Sequence, residues 1–314
     1  MAKLSDQKRN YSSFRMSSPL RDLDFVTARD RRVNRDIKLY MIKPSGMVIR
    51  SGGRATRLMG FFQNFFDKFS SHQEPHEGGE THREMPWDFP EGVTENSLDE
   101  TGNSFALLDD DAVDSHLRIS RYSEFQLTDA VRPSYDLQVI PREAYRHDTF
   151  RDEKANCEIP VLMVAASSEK LFDLFLDLLT PLGEHVDVVL ESSHAGCGER
   201  SGNAHREQID LPVLKSILCE YEQTLMHDGC LGIAVLNSSV PLEVQFDEHK
   251  LLIIYGESLE PFEAILKQYG IKQDQETQFI TEGEHVHASQ EDYADCYETL
   301  RNHLGIEQSL DIYL

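Results

Sequence analysis

From residue 159 onward, apolar runs of strand length alternate with segments whose apolar residues recur at helical spacing, and this alternation restricts the chain to an α/β fold. IPVLMVAA (159–166) is a near-continuous apolar run of the kind that buried strands show. SSEKLFDLFLDLLTPLG (167–183) reads as a helix with Ser at its start and Pro-x-Gly near its end. VDVVLES (186–192) is a second strand, followed by a Gly-rich loop to about Asn203 and a helix, LPVLKSILCEYEQTLMH, that ends before Gly229. Three strands come next, CLGIAVLN (230–237), LEVQFD (242–247) and KLLIIYG (250–256), the last two joined by a tight Glu-His turn. A helix at 261–270, a strand TQFITEG (277–283) and a helix at 291–305 complete the body, and YDLQVIP (135–141) reads as a strand ahead of it.

The alternation also suggests a repeat. Shifted by 90 positions, VLMVAASSEKLFDLFL (161–176) lies over LLIIYGESLEPFEAIL (251–266) without a gap, with Ser168 over Ser258, Phe172 over Phe262 and Leu176 over Leu266. Both halves pass through a glycine, Gly183 or Gly270, into a second strand, and both end in a helix closing with His-x-Gly. The expectation is a single open sheet with flanking helices, built from a duplicated strand–helix–strand–helix unit with repeats at 159–229 and 250–305, each pairing its strands in parallel through a right-handed crossover.

The first third of the chain has a different character. Residues 1–70 hold 15 Lys/Arg against 6 Asp, and the rest holds 16 basic against 49 acidic residues, so a basic arm of charge +9 precedes a body of charge −33. Residues 1–36 have too few large apolar side chains to offset the entropy of ordering. IKLYMI and MVIRS, separated by Lys43-Pro44-Ser45-Gly46, read as a small β-hairpin over 37–52. Over 54–69, Leu58, Phe61, Phe62, Phe65, Phe66 and Phe69 form one apolar helical face, rimmed by Arg54 and Arg57. Residues 71–112 are acidic and rich in Pro and Gly, which predicts a flexible linker, with the acidic α/β domain over 113–314. His72, His76 and His82 lie in that linker, where an unordered chain fixes no ligand geometry.

Two constellations carry candidate chemistry. If the halves are related, Glu191 and His194 sit at a strand end equivalent to that of Glu282 and His285, and such strand ends are where open α/β sheets collect ligands. Carboxylate and imidazole groups suit Zn²⁺ or another divalent metal ion, with His287 and His205 as further ligands. In the loop SSHAGCGERSGNAH (192–205), Cys197 lies between glycines near His194, His205 and Arg200, a setting that lowers a thiol's pKa, so Cys197 and His194 are the catalytic candidates. Neither a P-loop nor a G-x-G-x-x-G fingerprint is present.

Five cysteines without a C-x-x-C pair, and no apolar leader or run of membrane-spanning length, point to a reducing, cytoplasmic setting. The acidic body excludes nucleic-acid binding except through the arm. These features predict a non-enzymatic interaction or regulatory protein that binds a protein partner through residues 54–69, the basic arm also suiting an anionic membrane or nucleic acid. The alternative is a metal-dependent hydrolase using the Glu and His groups at the strand ends.

Overall fold

The computed structural model describes residues 24–30, 35–42, 104–105, 108–152, 157–194, 204–237 and 239–306. They form an α/β fold with one large sheet, one smaller sheet and flanking helices. The large sheet has seven strands, β6 (Ala144–Asp152), β7 (Cys157–Ala165), β8 (His185–Ser192), β9 (Ala204–Asp210), β10 (Leu231–Asn237), β11 (Leu242–Phe246) and β12 (Leu252–Gly256), in the order β6-β7-β12-β11-β10-β8-β9. Five helices contribute to one core on one of its faces: α2 (Ser168–Leu178), α3 (Leu211–Glu220), α4 (Glu222–His227), α5 (Glu260–Gln268) and α6 (Glu291–His303).

Helical spacing explains that core. In α2, Leu171, Phe172, Leu174, Phe175 and Leu178 are buried, and Phe175 stacks on Phe246 of β11 with ring centroids 5.1 Å apart. Each such side chain contributes roughly 1.5–3 kcal/mol through removal from water. The sheet's side of the same core comes from alternate residues, such as Leu162 and Val164 of β7 and Leu252 and Ile254 of β12. Their neighbours Val161, Met163, Ile253 and Tyr255 face the other way into a second core with Phe125, Phe279 and Ile280.

Every pairing in the large sheet is antiparallel, which corrects the expected parallel pairing. Burial on both faces is what makes IPVLMVAA continuously apolar, and burial of that kind does not require parallel neighbours. β7 and β8 run in the same direction, as a helical crossover demands, but β12, β11 and β10 stand between them as a meander. The expected single sheet is likewise corrected. The second strand of the first unit, β8, lies in the large sheet, whereas that of the second unit, β13 (His285–Gln290), lies in a four-stranded sheet.

That smaller sheet is antiparallel in the order β1-β2-β13-β5, from β1 (Asp24–Asp30), β2 (Arg35–Ile42), β13 and β5 (Val131–Pro133). β2 contains IKLYMI, but its hairpin partner is the upstream 24–30, while MVIRS lies outside the described residues. A two-stranded ribbon, β3 (Arg121–Tyr122) with β4 (Phe125–Gln126), and α1 (Asp110–Leu117), capped by the Asp109 side chain accepting from Ala112 N at 2.8 Å, complete the described elements. The YDLQVIP segment is not a strand; the strand comes later, as β6, and the expected strand 277–283 is replaced by a short 3₁₀ turn at Ile280–Glu282. Among the described residues no helix is long and apolar enough to cross a membrane.

Candidate metal centre

Three histidines meet where the two sheets adjoin. His285 and His287 are alternate residues of β13, so they share one face, while Val286 between them packs toward Phe105 on the other. His249 comes from the turn Asp247-Glu248-His249-Lys250 that joins β11 to β12. The ring centroids lie 4.6 Å (His249 to His287), 5.1 Å (His249 to His285) and 5.2 Å (His285 to His287) apart. One ligand atom from each residue falls within 4.8 Å of the others.

Asp247 builds the turn. Its Oδ1 accepts from the backbone N–H of His249 at 3.0 Å and of Leu251 at 2.8 Å, and its backbone closes on Leu251 and Lys250. Lys250 completes the reversal at φ 62°, a left-handed conformation that costs a side-chain-bearing residue roughly 1–2 kcal/mol. The conformation sends the lysine inward. Its ammonium is buried and donates to the Leu231 carbonyl at 2.9 Å.

The other nitrogen of each ring is already committed. His285 Nδ1 donates to the Gly283 carbonyl at 2.9 Å, His287 Nδ1 to the Gly229 carbonyl at 2.5 Å, and His249 Nδ1 to Asp247 Oδ2 at 2.7 Å. Carbonyls and carboxylates only accept, so all three protons reside on Nδ1 and the coordinating lone pairs of His285 and His287 are on Nε2. These two Nε2 atoms are buried without a hydrogen-bond partner among the described residues. Buried polar atoms are seldom left so, and histidines that ligate a metal are held through their other nitrogen by acceptors of this kind.

Electrostatics separate the three rings. Burial pushes His285 well below the ordinary histidine range and His287 down to about 4, with His249 beside them adding to both, so these rings are neutral at pH 7. Burial would also depress His249, but the Asp247 carboxylate outweighs it and raises that pKa. Asp247 itself is buried, which favours its neutral form, yet His249, the Leu251 N–H and Lys250 hold it below the usual carboxylate range. The turn therefore sets the Asp247 carboxylate behind His249, and burial leaves His285 and His287 as neutral imidazoles whose Nε2 lone pairs can take a cation.

A second group, His194, Asp228 and Cys230, is also buried and close enough to ligate. It is internally satisfied. His194 Nε2 bonds Asp228 Oδ2 at 2.7 Å, the Cys230 N–H donates to Asp228 Oδ1 at 3.0 Å, and the Lys250 ammonium adds its charge to Asp228.

No family model, curated protein or solved structure matches the chain. The site has to be read from its own geometry.

Of the residues singled out from the sequence, His285 and His287 are in the three-histidine group and His194 is in the second. Glu282 accepts from Arg146 Nη1 at 2.6 Å instead of joining either group. Glu191 lies on β8 opposite Gly232 of β10, and His205 lies on β9, 3.8 Å from Glu207; neither belongs to a group. Cys197, Arg54, Arg57 and the stripe from Leu58 to Phe69 lie outside the described residues. His249, Asp247 and Gly229 were not among the sequence candidates. The available signals were a His-x-His pair on a strand and an Asp-x-His turn between two strands.

Proposed function

We propose that the protein is a metal-dependent enzyme of the hydrolytic type, centred on His249, His285 and His287. The observation that carries this reading is the pair of orphaned, buried Nε2 atoms beside a third imidazole, each ring fixed through Nδ1 by an acceptor. An all-imidazole set suits Zn²⁺ or another first-row divalent ion, and three protein ligands leave a fourth position for water, the arrangement of catalytic rather than structural zinc. Such an ion lowers the pKa of its water toward 7 and so supplies a nucleophile at neutral pH.

The reading of the chain as a partner-binding module keeps its basis in the charge split and the Phe stripe of residues 54–69. No described side chain bears on it, so the histidine centre carries the proposal.

Metal content of the purified full-length chain, after dialysis against Zn²⁺ and removal of excess, tests the reading. One equivalent should be retained by the wild type and lost from His249→Ala, His285→Ala and His287→Ala, while His205→Ala retains it. A wild type that holds no metal at micromolar Zn²⁺, or three histidine variants that hold as much as the wild type, would overturn it.

A further inference from the structure

A small cavity adjoins the centre, with a volume of about 30 Å³, room for one or two waters or a methyl-sized group. Of the three ligand histidines, His249 lines it, together with Lys250 and the apolar side chains of Phe125, Leu127, Leu251 and Phe279. The exposed Gln278 is also part of its lining. Beside an ion held by the three histidines, a largely apolar chamber of this volume would fit a short, non-reacting end of a substrate.

Charge narrows the choice further. A divalent ion and the Lys250 ammonium would together bring three positive charges, and Asp228, Asp247 and Glu248 around Lys250 already balance them. The guanidinium groups are engaged as well: Arg142, which lines the cavity, pairs with Asp274 at 2.8 Å and Arg146 with Glu282 at 2.6 Å, while Arg132 donates to the Leu117 and Val131 carbonyls. Among the described residues a phosphate ester would meet no spare cation, unlike the phosphoryl-transfer sites that gather Lys, Arg and metal around the transferred group. The net charge of −24 repels anions at longer range too.

Building on the metal-dependent reading above, we infer that the centre hydrolyses uncharged esters or amides of short acyl groups, of acetyl size. Water at the fourth position attacks the acyl carbon, forming the new C–O bond. The C–O or C–N bond to the leaving group then breaks, and the proton released from water ends on the departing alcohol or amine, so the products are a carboxylic acid and an alcohol or amine with no change of oxidation state. Glu248 is the carboxylate of the turn that is not bonded to a ligand imidazole, and Ser193 Oγ donates to its Oε2 at 3.1 Å.

The test uses the zinc-loaded full-length chain with 4-nitrophenyl acetate, 4-nitrophenyl hexanoate and 4-nitrophenyl phosphate, with metal content measured on the same samples. The acetate ester should be cleaved with kcat/KM at least tenfold above the hexanoate, and the phosphate should be inert. His249→Ala should lose both the metal and the esterase activity. Gln278→Trp, a change at an exposed position of the cavity lining, should keep the metal and lose at least tenfold in kcat/KM. A second readout does not depend on turnover: acetohydroxamate should perturb the visible spectrum of the Co²⁺-loaded wild type, and do so at least tenfold more weakly in Gln278→Trp. A chain that binds no metal would defeat the metal reading itself. A chain that binds one equivalent but prefers the phosphate, treats the two acyl esters alike, cleaves none of them, or keeps its esterase activity in His249→Ala would overturn the substrate assignment alone.

Discussion

Asp247 acts twice on one histidine, shaping the turn through its Oδ1 and orienting the His249 ring through its Oδ2. Asp247→Asn keeps the size and the acceptor oxygen but removes the charge, and outer partners of ligand histidines typically matter by 10–100-fold in metal affinity. A Zn²⁺ competition titration should therefore show weakening within that range for Asp247→Asn and more for Asp247→Ala, which also loses the turn. Equal affinity in wild type and both variants would remove Asp247 from the centre. Glu243 of β11 poses a different residue-scale question. It is fully buried, its Oε1 accepts from Gln245 and its Oε2 has no partner among the described residues, so burial raises its pKa from 4.5 to about 7. The fold thus favours the protonated form, and the associated stability is present below pH 4.5 and is lost as pH rises through about 7. The loss is on the order of 3 kcal/mol at full burial. Urea unfolding of wild type and Glu243→Gln at intervals from pH 5 to 8 should show the wild type losing stability relative to the variant as pH rises; parallel profiles would mean that Glu243 is charged throughout.

The turn between α4 and β10 controls how close the helical layer comes to β13. A Cβ on Gly229 would collide with the Ala130 carbonyl oxygen and sit 2.9 Å from that of Ala288, so only glycine lets its carbonyl reach His287 Nδ1. Gly229→Ala should cost about 2–3 kcal/mol in chemical unfolding, because the atoms it meets are backbone and cannot rotate away, and it should weaken Zn²⁺ binding at least tenfold. Gly270→Ala is the contrast: its φ is +76° with nothing within 4 Å, so it should cost about 1 kcal/mol of backbone strain and leave Zn²⁺ affinity unchanged. The same elements show what the sequence could disclose. Helices α2, α3, α5 and α6 and strands β7, β8 and β10 to β12 were legible from period and punctuation, because apolar spacing is a local consequence of burial. His285 was a candidate only as the counterpart of His194 in the 90-residue alignment, past a run expected to be a strand, with His287 added to that set; the run is a 3₁₀ turn and the two histidines lie on a strand of their own. What could not be read was that β13 departs to another sheet, since pairing partners are chosen by tertiary contacts and not by a strand's own pattern. Without that departure, His249 looks like an ordinary polar residue in a turn, and Glu191 and Glu282 look equivalent although one faces Gly232 and the other pairs with Arg146.

At the scale of the molecule, the three histidines come from two sheets. His249 belongs to the seven-stranded sheet through the β11–β12 turn, while β13 carries His285 and His287 in the four-stranded one, in register with Ile42 and Tyr40 of β2 and with Pro133 and Val131 of β5. An ion held by all three would add to a junction already held by the bond from Gly229 N to Ala288 O at 2.9 Å and by Val131 of β5, which packs in one core with Met163 of β7 and Ile253 of β12. Binding to the folded state alone stabilises it by about 2.7 kcal/mol when free metal stands at 100 times Kd. The gain should be local in hydrogen exchange, because only openings that separate the sheets break the coordination. Amides of β13, of β2 at 35–42 and of the β11–β12 turn should exchange at least tenfold more slowly with Zn²⁺ than after chelation, whereas those of β9 at the far edge of the large sheet should not change. His249→Ala should abolish the difference although it leaves β13 and β2 untouched in sequence. Slowing spread evenly over both sheets would point to general stabilisation, and slowing confined to β13 would mean that the ion is held by His285 and His287 without bridging to the large sheet.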